Sequence, residues 1–441
     1  MSAIALPTSS RPSQWIGLVA IGALIMLMGY RIPYPARMSM PHPGVSESAP
    51  PSELCEDIHN AASVSEADVE TAIAASDAGD CVVVPAGSAS WAGGVAFTGI
   101  TLIGPGKNAG SPATVTAGVV TMTKHATEYT RLIGFRFTED SATEHVSVEG
   151  SVTNKAFVIH NNYFFIGGGD NMRTETNGGL YSENDFVGPV CDGSPESNGI
   201  IFSLGGGAGG AAGTSWTNAL ERGDEDADGE GNTYIEDGLW ENITVGAVDN
   251  DDGSRLVIRH NIIRDSRLST HGGGSGNGGQ DTSYHGGRWL EINDNTFDRS
   301  DDNCELNDWL WQRGSTGIFA NNVLDDASSS NGNYPNKPEL RFSVGCPGNP
   351  GYPMPFQFGQ STITPDATPD SPFLIFGNTG AGASSGNFIV ISGESGEGIT
   401  CSVPNDYIQS GRDYVLSNSY SWTAYEYPHP LHPSVDGSGD L

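Results

Sequence analysis

Arginine and histidine are concentrated in one stretch of an otherwise acidic chain. The 441 residues include 53 acidic against 20 basic side chains, which gives a formal net charge of −33. The ionisable residues of this stretch are Asp249, Asp251, Asp252, Arg255, Arg259, His260, Arg264, Arg267, His271, His285 and Arg288. Arginine suits carboxylate or sulfate groups, and histidine can transfer protons near neutral pH. The stretch therefore indicates a site for an anionic ligand, with an ion-paired scaffold face as the alternative.

Acidic residues in two places are candidate ligands for calcium. The two groups are Asp224, Asp226 and Asp228, and Asp249, Asp251 and Asp252. The first group, followed by Gly229, resembles the start of a calcium-binding loop. Its twelfth position is Ile235, and Glu236 comes one residue late, so a regular EF-hand loop is not expected. A looser calcium site and a solvated acidic loop are the open alternatives.

A recurring pattern indicates how these side chains are positioned. An apolar residue, two further positions, an asparagine, one position and another apolar residue occur six times, the last copy ending in glycine, with the asparagines at Asn162, Asn184, Asn261, Asn295, Asn322 and Asn378. Two more copies carry Phe135 and Gly238 at the asparagine position. Most copies begin 22 to 34 residues apart, which predicts a solenoid of short strands with one coil per copy. We expect the asparagine to adopt a left-handed corner and to bond the next asparagine.

The alternation of side chains along a strand predicts which residues of neighbouring coils meet. The outward column reads His160, Ser182, Glu236, Arg259, Asn293 and Ala320, and the corner column reads Asn161, Glu183, Asp237, His260, Asp294 and Asn321. Coils stack about 4.8 Å apart, so we expect Glu236 beside Arg259 and His260 between Asp237 and Asp294. Arg264 is likewise expected beside Asp298.

These neighbours supply the predicted substrate-binding residues. We assign Glu236, Arg259, His260 and Arg264 to substrate binding, because a histidine between carboxylates has a raised pKa and can transfer protons. Ordinary pairing of opposite charges across strands is the alternative.

The N-terminal segment and the cysteines indicate export. Trp15 to Tyr30 is uncharged and apolar, and an uncleaved anchor in the membrane is favoured over a cleaved signal. Residues 1–51 are therefore interpreted as an anchor and linker, and the protein as extracytoplasmic, either membrane-anchored or secreted. Six cysteines without a Cys-x-x-Cys pair suit an oxidising compartment. The strongly negative charge argues against nucleic acid as a partner.

A short helix near the start bears on the disulfides. Ser65 suits its N-cap, and Val64 can pack against Val69. Cys55 and Cys81 bracket this helix and are the favoured disulfide pair. Cys346 with Cys401 is the second choice.

The chain resembles the right-handed parallel β-helix proteins of the pectate-lyase-like superfamily. The resemblance rests on the helix, on GDCVVVPAG and ITLIGPG, and on the asparagine-cornered coils, and it covers residues 52–432. Tyr427 to Leu431 forms a Tyr-Pro-His-Pro-Leu motif like one that ends many uncharacterised β-helix proteins. The resemblance implies an all-β fold, a single right-handed parallel β-helix with a short N-terminal capping helix, followed by a tail at residues 433–441.

The same resemblance implies a function and a set of catalytic residues. In lyases of this superfamily an arginine or lysine removes a proton beside a uronate carboxylate, often with calcium bound. It implies Arg288 or Arg267 as the base and His271 or His285 as the acid, acting by β-elimination on an anionic extracellular polysaccharide. A non-catalytic glycan-binding or adhesin-like β-helix is the alternative.

A polygalacturonase-type hydrolase is the third hypothesis. Asp251-Asp252 and His271-Gly272 have a suggestive spacing, but no Arg-x-Lys follows them.

Overall fold

The computed structural model places most of the chain it describes in short parallel strands. The described residues are 54–138, 144–167, 170–191, 200–204, 231–244, 246–250, 254–270, 287, 289–299, 304, 306, 308–312, 315–325, 340–345, 372–380, 383, 388–396, 399–400, 408–417 and 421–438. Residues 1–53 lie outside these ranges. Within those ranges no helix is long and apolar enough to cross a membrane, and the anchor at 1–51 stays a prediction.

The strands form three faces, and each full coil contributes one strand to each face. The first face is a 12-stranded sheet of β1 (Ile58–Asn60), β2 (Cys81–Val83), β5 (Thr101–Ile103), β8 (Thr130–Ile133), β11 (Phe157–His160), β14 (Gly179–Ser182), β17 (Thr233–Glu236), β20 (Arg255–Arg259), β23 (Trp289–Asn293), β26 (Gly317–Ala320), β29 (Phe373–Phe376) and β32 (Tyr414–Leu416). The second face is a nine-stranded sheet of β3 (Gly87–Ala89), β6 (Ala113–Val115), β9 (Phe135–Phe137), β12 (Tyr163–Phe165), β15 (Asp185–Val187), β18 (Leu239–Glu241), β21 (Ile262–Arg264), β24 (Thr296–Asp298) and β27 (Val323–Asp325).

The third face consists of two shorter sheets. The first comprises β4 (Val95–Thr98), β7 (Val120–Thr123), β10 (Val146–Glu149), β13 (Asp170–Thr174), β16 (Ile200–Leu204) and β19 (Val248–Asn250). The second comprises β22 (Leu268–Ser269), β25 (Leu310–Gln312), β28 (Leu340–Gly345), β30 (Ile389–Gly396) and β31 (Ile399–Thr400). These strands pair in parallel, apart from the antiparallel contact of β30 with β31. The predicted parallel β-helix is confirmed, whereas membership of the superfamily stays a prediction.

The core runs along the inside of the coils. The apolar residue that opens each repeat faces inward and is buried, as Ile159, Ile258 and Phe319 show. The second apolar residue of the repeat is also buried, and its aromatic members pack rung on rung. The rings of Phe137 and Phe164 are stacked with centroids 5.0 Å apart, and those of Phe164 and Phe186 are 5.2 Å apart.

A ladder of asparagine amides joins the corners between the first and second faces. The side-chain amide of Asn261 donates to Asn295 Oδ1 at 3.0 Å, and that of Asn295 donates to Asn322 Oδ1 at 3.1 Å. The same oxygens accept from backbone N–H groups, as Asn295 Oδ1 does from Asn261 N at 2.9 Å. Gly238 interrupts the ladder, but its N–H still donates to Asn261 Oδ1 at 2.9 Å. The predicted bonding between asparagines of successive coils is confirmed.

The left-handed backbone of the corner lies one residue earlier than predicted. Positive φ angles of 51° to 59° occur at the residue before the ladder position, namely Asn161, Glu183, Asp237, His260, Asp294 and Asn321. Glycine takes the same position in two further coils, at Gly134 and Gly377. The ladder asparagine must instead present its amide along the coil axis. The corner column therefore bears the strain, roughly 1–3 kcal/mol for each such non-glycine residue.

The N-terminal helix and two disulfides brace the coils. Helix α1 (Glu66–Ala74) has Ser65 as its N-cap, which accepts from Asp68 N at 3.4 Å. The predicted Cys55–Cys81 disulfide is present, and a second disulfide, which the sequence does not predict, joins Cys191 to Cys304. The predicted pair of Cys346 with Cys401 lies outside the described residues.

Replacing a ladder asparagine tests whether the amide column holds the coils together. Asn295→Ala removes the donor to Ile258 O and the acceptor of Asn261 N, which are both buried. We expect a loss of about 2–6 kcal/mol in the free energy of unfolding, because each of the two orphaned buried groups costs about 1–3 kcal/mol. Denaturant unfolding followed by circular dichroism measures the loss. Asn108→Ala, at an exposed turn, is the control, and equal stability of the two variants would contradict the role of the ladder.

Candidate functional site

The outer side of the 12-stranded sheet is covered by the end of the chain. Residues 421–438, which we call the C-terminal strap, run from β29 back to β2. Trp422 packs against Ile318 and Phe376 near one end. Val435 packs against Ile103 and Ile133 near the other. The strap thus lies along the outward column that the sequence assigns to substrate binding.

Apolar side chains hold the middle of the strap against the sheet. Val158, Leu180, Tyr234 and Val257 point outward and form a buried cluster with Tyr425, and Leu431 packs against it. The Tyr425 ring meets the Tyr234 ring edge to face, with centroids 5.6 Å apart. An outward face of this composition would expose a large apolar patch without the strap.

Glu236 and Arg259 form a buried ion pair that fastens the strap. Their side chains are 0% and 1% exposed, and Arg259 Nε donates to Glu236 Oε2 at 2.8 Å. The guanidinium also donates to the carbonyl oxygens of Tyr425 and Glu426, at 3.0 and 2.6 Å. Glu236 Oε1 accepts from His429 N at 2.9 Å. The pair satisfies its hydrogen bonds within the chain, as a buried pair requires.

The predicted pairing of Glu236 with Arg259 is therefore present, but in a different role. The sequence assigns both residues to substrate binding, whereas their hydrogen bonds go to each other and to the strap backbone. A ligand could reach them only if the strap left the sheet. These contacts give no support to substrate binding by this pair.

The corner column contacts the strap through Tyr427. Its ring stacks on His260 with centroids 3.6 Å apart, and its hydroxyl donates to Asp237 Oδ1 at 2.6 Å. Burial raises the pKa of Asp237, and the bond from Tyr427 acts in the opposite direction. His260 directly follows β20, which lies between β17 and β23, the strands that Asp237 and Asp294 directly follow, as predicted. Its face is occupied by the strap.

A group of histidines and carboxylates lies further along the strap. His160 Nε2 is 3.3 Å from Asp436 Oδ1, and His432 Nε2 is 3.5 Å from Glu183 Oε1. Ligand atoms of His160, Glu183 and Asp436 lie within 4.8 Å of one another, close enough to hold a metal ion. Burial lowers the pKa of His160, and the hydrogen bond from His160 lowers the pKa of Asp436.

Two of the predicted site arginines lie in ion pairs away from the strap. Arg264 bonds Asp298, as predicted, and Glu241, each at 3.0 Å. Arg267, a predicted catalytic base, is buried with its Nε 3.7 Å from the buried carboxylate of Asp308. Arg341 pairs with the same carboxylate at 3.1 Å. A guanidinium held against a buried carboxylate is stabilised in its charged form, which opposes a role as a base.

The remaining predicted site residues cannot be placed. The catalytic candidates His271, His285 and Arg288 and the calcium candidates Asp224, Asp226, Asp228, Asp251 and Asp252 lie outside the described residues. So does the side chain of the calcium candidate Asp249. Their roles stay predictions.

The strap was not predicted, although the sequence carries a signal for it. The position before each inward anchor is also apolar in most coils, as in Val158, Leu180, Val257 and Ile318. Apolar residues on both sides of a strand indicate a sheet that is covered on both faces. The Tyr-Pro-His-Pro-Leu motif is the segment that does the covering. Its Tyr427, His429 and Leu431 supply contacts described above.

The nine-stranded sheet has an outer side of a different character. Its outward residues include Tyr163, with the Arg136 guanidinium 4.0 Å from the ring centroid. The half-buried row of Glu241, Arg264 and Asp298 crosses three strands. Ile262 and Val323 are exposed on this face. The face therefore combines an aromatic ring, apolar side chains and hydrogen-bonding groups at strand spacing.

Comparison with known proteins finds one slight structural likeness. No family model matches the sequence, and no curated protein matches it. Among solved structures, the chain is similar to an alginate lyase from Paenibacillus sp. str. FPU-7, with 11% sequence identity and a TM-score of 0.31. The match covers 78% of this chain and 92% of that one. A likeness this slight carries no argument about function.

The two arginine pairs of one coil provide a test of the strap contact. Arg259→Ala leaves Glu236 charged and buried, and we expect a loss of about 3–5 kcal/mol in the free energy of unfolding. Arg264→Ala removes a pair whose arginine side chain is 25% exposed, and we expect about 0.2–1 kcal/mol. Denaturant midpoints measure both, and limited proteolysis reports release of the strap. Similar losses, or a strap that stays protected in Arg259→Ala, would contradict the assignment.

Proposed function

We propose that this protein recognises a polysaccharide along the outer side of the nine-stranded sheet. The observation that carries the proposal is the contrast between two long faces. The 12-stranded face is closed by the strap, whereas the nine-stranded face presents Tyr163 together with charged and apolar side chains. Sugar rings offer apolar faces that pack on aromatic rings and hydroxyl groups that bond charged side chains.

A location outside the cytoplasm would agree with such a ligand. The two disulfides, Cys55–Cys81 and Cys191–Cys304, suit an oxidising compartment outside the cytoplasm. An extracytoplasmic β-helix encounters polysaccharides of cell walls and matrices. Export itself, and membrane attachment through residues 1–51, belong to the proposal.

The proposal extends to cleavage by β-elimination of an anionic polysaccharide. Arg288 is the base that we favour, because Arg267 is buried against Asp308. His271 is the corresponding acid, and calcium bound by the acidic loops would neutralise the uronate carboxylate. Non-catalytic glycan binding is the second candidate. The pairing of Arg259 and Arg264 within the chain favours that second candidate, since neither charge is left uncompensated.

Binding can be tested with a matched pair of tyrosine variants. Tyr163 and Tyr129 each lie under an arginine, Arg136 and Arg131, but on different parts of the coils. We expect Tyr163→Ala to weaken binding to the best ligand of a polysaccharide panel about tenfold, because burying an aromatic ring is worth roughly 1.5–3 kcal/mol. Affinity electrophoresis with the full-length protein measures it. If Tyr129→Ala weakened binding as much as Tyr163→Ala does, the nine-stranded face would be excluded as the binding site.

Cleavage has a separate readout. Incubation with a panel of uronates, with and without calcium, should yield the ultraviolet absorbance of an unsaturated product. We expect Arg288→Ala and His271→Ala to abolish this signal while binding persists, because these changes remove the proposed base and acid. No product from any uronate would exclude elimination and leave recognition alone. Turnover that survives both substitutions would show that these residues are not the catalytic pair.

A further inference from the structure

Four side chains with metal-binding chemistry converge where the strap crosses β11 and β14. His160 and Glu183 belong to the coils, and His432 and Asp436 belong to the strap. None of them takes part in the proposed polysaccharide site on the nine-stranded sheet. His160 is fully buried, while the Asp436 side chain is 65% exposed, so the group opens to solvent at one side. A small ion could enter there.

Three of the four residues, His160, Glu183 and Asp436, have ligand atoms within 4.8 Å of one another, and His432 lies outside that group but beside Glu183. Two ligands bound at about 2.0–2.2 Å in tetrahedral geometry lie roughly 3.4 Å apart. His160 Nε2 is 3.3 Å from Asp436 Oδ1, and His432 Nε2 is 3.5 Å from Glu183 Oε1. The oxygen of Asp237 nearest to His432 Nε2 lies further away, at 3.9 Å.

The second nitrogen of each histidine is engaged as it is in metal sites. His432 Nδ1 is 3.0 Å from the carbonyl oxygen of Pro433. A carbonyl can only accept, so Nδ1 donates to it, and in the neutral ring Nε2 would be available to an ion. His160 Nδ1 is 2.8 Å from the Ser182 hydroxyl, which can accept from it when Nε2 binds an ion. Metal-bound histidines commonly donate their other ring nitrogen in this way.

The local charge favours a cation. Glu183 and Asp436 are brought together beside Asp237, and the two histidines do not neutralise them in their uncharged form. Lys107 supplies one positive charge nearby, and its ammonium group bonds the carboxylate of Asp185 at 2.9 Å and the backbone oxygen of Glu183. A divalent ion would offset the two carboxylates directly.

We propose that His160, Glu183 and Asp436 bind a divalent transition-metal ion of the zinc class, and that the His432 ring, 3.5 Å from Glu183, moves toward the ion as the fourth ligand. Two imidazoles and two carboxylates suit zinc better than calcium or magnesium, which prefer oxygen ligands. Four protein ligands make a closed site, which is typical of structural rather than catalytic zinc. Because two ligands come from the coils and two from the strap, the ion fastens the strap to the sheet.

Metal titration of the chelator-treated full-length protein tests the site. We expect one Zn²⁺ per chain by calorimetry, an absorbance spectrum of tetrahedral Co²⁺, and no competition from Ca²⁺. His432→Ala should weaken Zn²⁺ binding more than about 100-fold, since even an outer partner of a ligand is worth about 10- to 100-fold. Zn²⁺ should also raise the thermal midpoint of the wild-type protein and leave that of His432→Ala unchanged.

Two further variants make the outcome decisive. Asp436→Asn changes an exposed ligand with little risk to folding, and we expect it to lose the Co²⁺ spectrum. His125→Ala, which removes a histidine from a turn far from these four residues, should bind as the wild-type protein does. The proposal is overturned if Zn²⁺ does not bind, or if it binds His432→Ala and Asp436→Asn as tightly as the wild-type protein, which would place the ion elsewhere. Neither result depends on whether a polysaccharide binds.

Discussion

The whole structure depends on one constraint, which is that successive coils stay in register at a single corner. The amide ladder of Asn261, Asn295, Asn322 and Asn378 provides the bonds, and the left-handed residue before each of them turns the chain. Any slip by one residue would turn inward side chains outward. With the register fixed, residues such as Glu236 and Arg259, 23 positions apart, become neighbours.

A second constraint follows from what the register places on the outside. Val158, Leu180 and Val257 form an apolar stripe on the outer side of the 12-stranded sheet, and such a stripe must be covered. The strap covers it but lacks strand pairing along its path, so its own backbone needs partners. Arg259 and Glu236 provide them by bonding the carbonyls of Tyr425 and Glu426 and the N–H of His429. The strap shields the ion pair from solvent, and the charged groups of the pair hold the strap by bonding its backbone.

The parts of this fold that the sequence could predict are those governed by a local repeat. The asparagine spacing predicts the coils, and side-chain alternation predicts that Arg264 meets Asp298. The strap was missed because Tyr427 lies 190 positions from its partner Asp237 and belongs to no repeat. The Cys191–Cys304 disulfide, whose cysteines are 113 positions apart in sequence, was missed for the same reason. The left-handed corner was predicted one residue too late in the chain. Asparagine is the residue usually associated with a left-handed backbone, whereas the observed positions hold glutamate, aspartate and histidine as well.

The strap also changes how the solenoid can unfold. Each coil of a solenoid contacts only its neighbours, so end coils can open independently of the rest. Here Trp422 contacts β26 and β29, whereas Val435 contacts β2, β5 and β8, and residues between them contact the strands in the middle. Opening any of these coils exposes apolar surface beneath the strap, which couples coils that are otherwise independent. A metal ion at His160 and His432 would strengthen this coupling at the point where the strap passes from the buried ion pair to the first coils. The stability of the nine-stranded face would then depend partly on contacts made on the 12-stranded face.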